Sequence, residues 1–294
     1  MPNTDSPKNF GVKNPSQARA ETTSEPLLRP RRIRYFKRAD AWFNRCVRMA
    51  AVMHEGFWLG YLGVDELNAV TTGHYDSSVE SASPEHNLRG FFDWELAAVK
   101  RYFPHGSRVL VVAGGGGREV LALRRAGYSA EGFECNPALV EASKSLFEKL
   151  GEPGGMTLSP ADQVPSTSLR YDGVIVGWTA YSHMPTRERR LRFLRGLRQQ
   201  LGPGSPVLLS FFTRVGNSRY DAFLHRMASV SRFLLRGRRE PLELGDHLNW
   251  SFSHWFTREE IEAELRTAGI RPVHFGEVGD GHAVGIVESV DQRP

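Results

Sequence analysis

The pattern of apolar and polar positions changes character near residue 108. Before it, apolar and aromatic residues recur at helical spacing from Arg34 to Tyr61, among them Trp42, Phe43, Cys46, Met49, Ala50 and Met53, which predicts a helix pair. Residues 64–90 carry turn-prone patches, Thr71-Thr72-Gly73 and Ser81-Ala82-Ser83-Pro84, and a further helical run is predicted from Asp93 to Tyr102, stopped by Pro104 and Gly106. From Arg108 onward short apolar blocks alternate with helical runs. Strands are predicted at 108–113, 129–134, 155–159, 172–178 and 206–212, and helices at 117–127, 137–150 and 185–201. That order argues for an α/β fold with a parallel sheet and crossover helices. A basic, aromatic-bearing stretch at 214–256 interrupts it. Thr257 and Glu260 then form a capping box that opens a helix ending near Gly269. Strands at 271–277 and 283–289, linked through Gly279-Asp280-Gly281, suit an antiparallel hairpin.

Residues 1 to about 28 are rich in Pro, Ser, Thr, Asn and Gln, and too poor in large apolar side chains to offset the entropy of ordering. The expected organisation is a disordered basic tail (1–33), a helical cap (34–103) and an α/β domain (104–294) with an insertion at 214–256. At 40% hydrophobic and 24% charged, the 294 residues describe an ordinary globular protein and exclude collagen-like or disulfide-scaffold chains. Cys46 and Cys135 form neither a C-x-x-C pair nor a zinc framework, and the histidine spacing completes no metal site, so a reduced, cytoplasmic setting is expected. No apolar stretch approaches the roughly 20 residues of a membrane span, and no secretory signal is evident. The net charge of +5 invites a nucleic-acid reading, but nine Lys or Arg against four acids lie within residues 1–40, leaving 29 of each sign in the remainder. The body is formally neutral, and nucleic acid is not the expected partner.

The clearest chemical signal is Arg108-Val109-Leu110-Val111-Val112-Ala113-Gly114-Gly115-Gly116-Gly117-Arg118-Glu119-Val120, a buried strand running through glycines into a helix. Glycine permits positive φ and close ligand approach, and the helix amides that follow favour an anionic group. A dinucleotide fingerprint needs a third glycine where Glu119 or Val120 stands, and no Gly-Lys-Ser/Thr completes a P-loop. Glu134 closes the second strand, 17 positions beyond Gly117. An acid there accepts ribose hydroxyls; its alternative role is to cap the helix that starts after Cys135-Asn136-Pro137.

With these residues in order, the stretch from about Arg108 to Val290 resembles the class I S-adenosylmethionine-dependent methyltransferases, a Rossmann-like fold whose mostly parallel sheet ends in an antiparallel hairpin. The resemblance implies S-adenosyl-L-methionine as cofactor. Its methionine part would be held by Ala113, Gly114, Gly115 and Gly117, its ribose by Glu134 beside Cys135, and its adenine by Asp162 with Gln163, next to Trp178. Asp162 is otherwise a cap or a solvated loop acid. Two positions depart from the family pattern: Val111 stands where an acid is common and Ala113 where glycine is usual. The first removes a contact to the cofactor's amino group, which another residue, such as one from the N-terminal helices, must supply.

The strand order of such a fold reverses between the first and fourth strands, which brings Trp178-Thr179-Ala180-Tyr181-Ser182-His183 beside the glycine loop. Trp178 and Tyr181 offer aromatic walls to a cationic sulfur, and His183 suits the task of a base; its alternative role is to cap the helix starting near Pro185. His247 and His254, in the stretch before the capped helix, are either substrate contacts in a lid or ordinary loop histidines, and Asp172 is structural. The chain lacks the Asn/Asp-Pro-Pro-Tyr/Phe element of adenine and glutamine enzymes and the Pro-Cys of cytosine-5 enzymes, which leaves methyl transfer to O or N of a small molecule. Arg187, Arg189, Arg190, Arg192, Arg195 and Arg198 on one helix, and Arg232, Arg236, Arg238 and Arg239 in the insertion, either attract an anionic substrate or form solvated faces. Competing readings are an RNA-binding or RNA-modifying protein using the basic tail, a catalytically silent cofactor-binding partner, and an aminopropyl transferase. The last needs an acid where Gly177-Trp178 stands.

Overall fold

The computed structural model describes residues 31–76, 79–165, 169–214, 216, 218–235, 241–276 and 281–289. The chain divides into two units, 1–47 and 48–294. Helix α1 (Arg31–Tyr61) begins inside the stretch assigned to the tail, and is continuous where a helix pair was expected. Its residues 31–47 are exposed, and its buried residues fall between Val52 and Gly60. Next come α2 (Val64–Asp76), α3 (Val79–Ala82), α4 (Pro84–Leu88) and α5 (Asp93–Tyr102). The first three of these occupy the stretch read as turns. Its hydroxyl residues serve helices through local bonds: Thr71 Oγ1 donates to the Leu67 carbonyl one turn back, and Ser83 caps α4 by accepting from the His86 amide.

The sheet domain runs β1 (Arg108–Val112), α6 (Arg118–Arg125), β2 (Ser129–Glu134), α7 (Pro137–Leu150), β3 (Thr157–Leu158), β4 (Gly173–Val176), α8 (Arg187–Gln199), β5 (Pro206–Thr213), α9 (Arg219–Leu235), β6 (Asp246–Leu248), β7 (Phe252–Phe256), α10 (Arg258–Thr267), β8 (Ile270–Gly276) and β9 (Gly281–Val287). Strand order is β3-β2-β1-β4-β5-β7-β6, with β1 to β5 parallel, β9 antiparallel to β5, and β8 antiparallel to β9. The mostly parallel sheet and its terminal hairpin are as expected; residues 279 and 280 of the anticipated link lie outside the described residues. The segment 214–256 is more than an interruption, because it supplies α9 and two strands. Along β5, Pro206–Phe211 pair with β9, and Phe212–Thr213 then pair with β7.

Strand β1 is buried on both faces, as a central parallel strand must be. Val109 and Val111 join Phe103 and Phe147 on one side, and Leu110 and Val112 join Phe193, Leu197 and Phe256 on the other. Asp172 accepts the Arg108 amide at 2.8 Å, fixing the start of β1 against the lead-in to β4. At the other end the two strands converge so closely that a Cβ on Gly177 would lie 2.1 Å from the Ala113 carbonyl oxygen.

After β4 the chain makes a 3-10 turn, Ala180–His183. Tyr181 points from it into the core, where its hydroxyl donates to Glu264 at 2.6 Å. Glu264 also pairs with Arg190, which is only 1% exposed and donates to Glu243 as well. This network locks α8, α10 and the turn together. Two outcomes follow for urea denaturation. Gly177→Ala lowers unfolding free energy by about 1–3 kcal/mol, because the added methyl forces β1 and β4 apart. Tyr181→Phe costs about 1–2 kcal/mol through one lost buried hydrogen bond; no loss in either variant contradicts the packing described.

Candidate functional site

A cleft of about 560 Å³ opens outside the carboxyl ends of β1, β2 and β4, where the strand order reverses. Its floor is the loop between β1 and α6. Ala113 (φ 54°) and Gly115 (φ 55°) are both left-handed, an arrangement glycine accepts freely and alanine at a cost of about 1–2 kcal/mol. Glu134 holds this loop. Its Oε2 accepts the Gly115 amide at 2.9 Å, and its Oε1 accepts the amides of Cys135 (2.8 Å) and Asn136 (2.9 Å). A carboxylate offers about four lone-pair sites, so the three amides leave one, and the Cys135 thiol also bonds to this carboxylate. The capping role falls to Asn136, whose Oδ1 accepts the Leu139 amide. Cys135 lines the cleft as a thiol: burial, reinforced by the charge of Glu134, pushes its pKa up to about 12.

Gly117, expected to hold the cofactor, does not line the cleft. It starts α6 at φ 97°, and a Cβ there would lie 2.7 Å from the Phe147 ring, so its glycine serves helix packing. Ala113, Gly114 and Gly115 do line the cleft, as do Asp162, Gln163 and Trp178. Asp162 (φ 57°) accepts from Asn68 Nδ2 at 2.7 Å and from Arg189 at 3.2 Å, which anchors the loop after β3 to α2 and α8. Trp178 lies against Phe92 at a centroid distance of 5.3 Å.

His183 faces the cleft while Tyr181 faces the core. Its Nδ1 lies 2.7 Å from the Phe252 carbonyl, which can only accept, so Nδ1 carries the proton. Its Nε2 is then an acceptor and takes the Tyr75 hydroxyl at 3.1 Å. Burial pushes the imidazole pKa down, only partly opposed by the Phe252 bond, and the ring is neutral. Burial and the charge of Glu134 push the Tyr75 phenol up to about 12, which keeps its proton in place. The helix at Arg187 is capped by Thr186 rather than by His183.

Two residues expected at the reacting centre, Tyr181 as an aromatic wall and His254 as a substrate contact, lie elsewhere. Tyr181 is committed to Glu264, and His254 is buried with Nδ1 2.7 Å from Asp246 and its ring against Phe256; neither lines the cleft. His247 is likewise enclosed, between Glu55 at 3.2 Å and Asp221 at 3.6 Å. Conversely, Tyr75, Asn87, Phe212 and Trp255 line the cleft and stand outside the expected set. Tyr75 and Asn87 come from the stretch read as turns, with no local signal of a site. Phe212 and Trp255 carry one: aromatic residues at the end of a predicted strand and just before a capped helix.

The unpartnered polar atoms fit the cofactor that the resemblance implies. Asn87 is 2% exposed, donates through Nδ2 to the Ser81 and Ser83 carbonyls, and leaves Oδ1 without a partner. Its amide cannot be reversed without setting oxygen against oxygen. It packs on Gly116, where a Cβ would lie 2.7 Å from Oδ1. The buried Ser159 hydroxyl, by the loop after β3, is also without a partner. The cleft therefore offers an acceptor by the glycine loop, the Glu134 carboxylate, and a hydroxyl beside the Asp162 loop, groups that suit in order an ammonium, a ribose and an adenine.

No protein-family model matches the chain, and no curated protein does. Solved structures match its fold. A 1,6-didemethyltoxoflavin-N1-methyltransferase from Burkholderia thailandensis, with 1,6-didemethyltoxoflavin and S-adenosylhomocysteine bound, superposes with a TM-score of 0.56 at 16% identity, over 78% of this chain and 92% of its own. An S-adenosylmethionine-dependent methyltransferase from Clostridium acetobutylicum gives 0.52 at 8% identity, over 73% and 96% respectively. The CcbJ methyltransferase from Streptomyces caelestis gives 0.51 at 13%, over 74% and 96%. The fold of this chain is that of the class I, Rossmann-like S-adenosylmethionine-dependent methyltransferases.

Proposed function

We propose that the protein is an S-adenosylmethionine-dependent methyltransferase acting on oxygen or nitrogen of a small molecule. The observation that carries this reading is Glu134: a buried carboxylate at the end of β2 that lines the cleft and ties the glycine loop to the start of α7. The fold shared with methyltransferases of small molecules supports it, the toxoflavin enzyme among them.

In this reading Ala113 to Gly116 bind the methionine portion, with Asn87 Oδ1 accepting from its ammonium in place of the acid that Val111 replaces. Glu134 binds the ribose, Asp162 and Gln163 flank the adenine, and Trp178 walls the sulfur. Bound there, the cofactor supplies a methyl group on a positively charged sulfur. The protein's task is to align an acceptor with it, to exclude water and to take the acceptor's proton. The Phe252 carbonyl fixes His183 in the tautomer whose Nε2 lone pair faces the cleft. An acceptor hydroxyl or amine that displaced Tyr75 from Nε2 would give its proton to that nitrogen, and His183 would hold it while the methyl group is received. A neutral imidazole, kept so by burial, is in the state this step requires.

Calorimetry of the full chain with S-adenosylhomocysteine tests the reading. Binding is expected, and Glu134→Ala weakens it by about 1.5–3 kcal/mol, the range of hydrogen bonds to a charged group. An absence of binding at millimolar ligand overturns the reading, and an unchanged affinity in the variant removes the ribose assignment. Asn87→Leu is expected to weaken S-adenosylhomocysteine about tenfold, a loss of roughly 1.4 kcal/mol, and to leave 5′-methylthioadenosine, which lacks the amino-acid end, unaffected. Equal losses for both ligands remove Asn87 from the ammonium.

A further inference from the structure

The cleft extends beyond the glycine loop into a region walled by rings. Trp255 stacks on Phe212 at a centroid distance of 5.4 Å, Phe212 meets His183 edge-on at 5.9 Å, and His183 meets Tyr75 edge-on at 5.8 Å. Rings from β7, β5, the 3-10 turn and α2 thus make one continuous surface around the His183 nitrogen. Trp178 contributes a second wall. Trp178 is 40% exposed and Trp255 38%, and Trp250 at the rim of the same cleft is more exposed still. Aromatic rings that line a cleft can cover a flat ligand face, and such contacts add to simple apolar burial.

The charges of the described lining disfavour an anion. Its described lining includes four carboxylates, Glu80, Glu119, Glu134 and Asp162, and one arginine or lysine, Arg118. Arg118 is 1% exposed and fully engaged: it grips Glu95 with two bonds of 2.6 Å, donates to Glu119 at 2.7 Å and to the Gly90 carbonyl at 2.9 Å, and its guanidinium lies over the Phe92 ring. Of the arginines of α8, expected either to attract an anion or to be solvated, Arg187, Arg192 and Arg195 are exposed, and Arg189 and Arg190 are paired with acids. Arg189 pairs with Asp65 and Asp162, Arg190 with Glu243 and Glu264, and Arg192 with Glu188, and none of these three lines the cleft. Among the described residues, an acceptor carrying a carboxylate or phosphate would leave water for a lining whose one arginine is already paired, a cost that a neutral molecule avoids.

We propose that the methyl acceptor is a planar aromatic molecule, neutral or cationic, lying along the Trp255–Phe212–His183–Tyr75 wall with its own hydroxyl or ring N–H at His183 Nε2. The assignment rests on the methyl-transfer reading and narrows its substrate to one class.

The test uses the full chain saturated with S-adenosylhomocysteine and three probes followed by calorimetry: 1-naphthol, 1-naphthoate, which has the same rings and a negative charge, and glucosamine, which has hydroxyls and an amine but no aromatic ring. 1-Naphthol is expected to bind, 1-naphthoate at least about tenfold more weakly and glucosamine not measurably, tenfold being a readily resolved difference in Kd. Trp255→Ala weakens 1-naphthol by about tenfold more than it weakens S-adenosylhomocysteine. Equal binding of the naphthoate, binding of glucosamine in preference to naphthol, failure of naphthol to bind, or equal effects of Trp255→Ala on both ligands overturns the proposal. A protein that does not bind S-adenosylhomocysteine fails at the earlier step, so the two readings fail separately.

Discussion

The Glu134 carboxylate gathers the amides of Gly115, Cys135 and Asn136, and so ties the loop after β1 to the start of α7 across the end of the sheet. These amides belong to a left-handed turn and a helix start, the two places where the backbone cannot satisfy its own donors. A buried charge is tolerated there because three N–H groups surround it. The consequences spread outward. Asn136, fixed at the start of α7, donates through Nδ2 to the Thr72 carbonyl and to Asp76, which sets the end of α2. That end carries Tyr75, whose hydroxyl reaches His183 on the far side of the cleft. A second tie, from Asn68 near the start of α2 to Asp162 and on to Arg189, closes the ring of contacts around the opening. The glycine loop, the aromatic wall and the β3 loop are therefore positioned by one connected set of polar bonds.

The sheet was legible because it is written in local terms. Apolar blocks such as Val109 to Val112 and Val207 to Phe211 have only one way to be buried on both faces, and the Thr257–Glu260 capping box declares its helix without help from elsewhere. The helices between 64 and 90 were hidden by their composition, since Thr71 and Ser83 look like turn residues until the bonds they make inside and at the start of helices are seen. Strands β6 and β7 were hidden for a different reason. Three to five residues long, they exist because β5 offers an unpaired end, and that is a property of the assembled sheet.

Within the site, residue type gave the chemistry and left direction undetermined. Tyr181 and His183 stand two apart on a 3-10 turn, whose three-residue period sends them to different sides. One side is the Arg190–Glu264 network and the other is the cleft, so two side chains with equal credentials at the end of a strand receive opposite fates. The same holds for the arginines of α8. As a row of charges they suggest an anion or open water; Arg187, Arg192 and Arg195 do face solvent, but Arg190 is buried on Glu243 and Glu264, which lie 53 and 74 residues along the chain from it. Buried ion pairs of this kind are assembled by topology, and no window of sequence contains both partners.

Strand β5 changes partner between Phe211 and Phe212, from β9 to β7. On the near side of that junction lie the residues that close the sheet, and beyond it lie Phe212 and Trp255. The join divides the strand into six residues held between β4 and β9 and two that meet only the added β7. Residues 241–256 can change in length or in side chain and redraw the far wall of the cleft, while the register of β5 on β4 and β9 stays as it is. A family of chains built on this plan could diversify what it accepts by editing a single segment at the margin of the sheet.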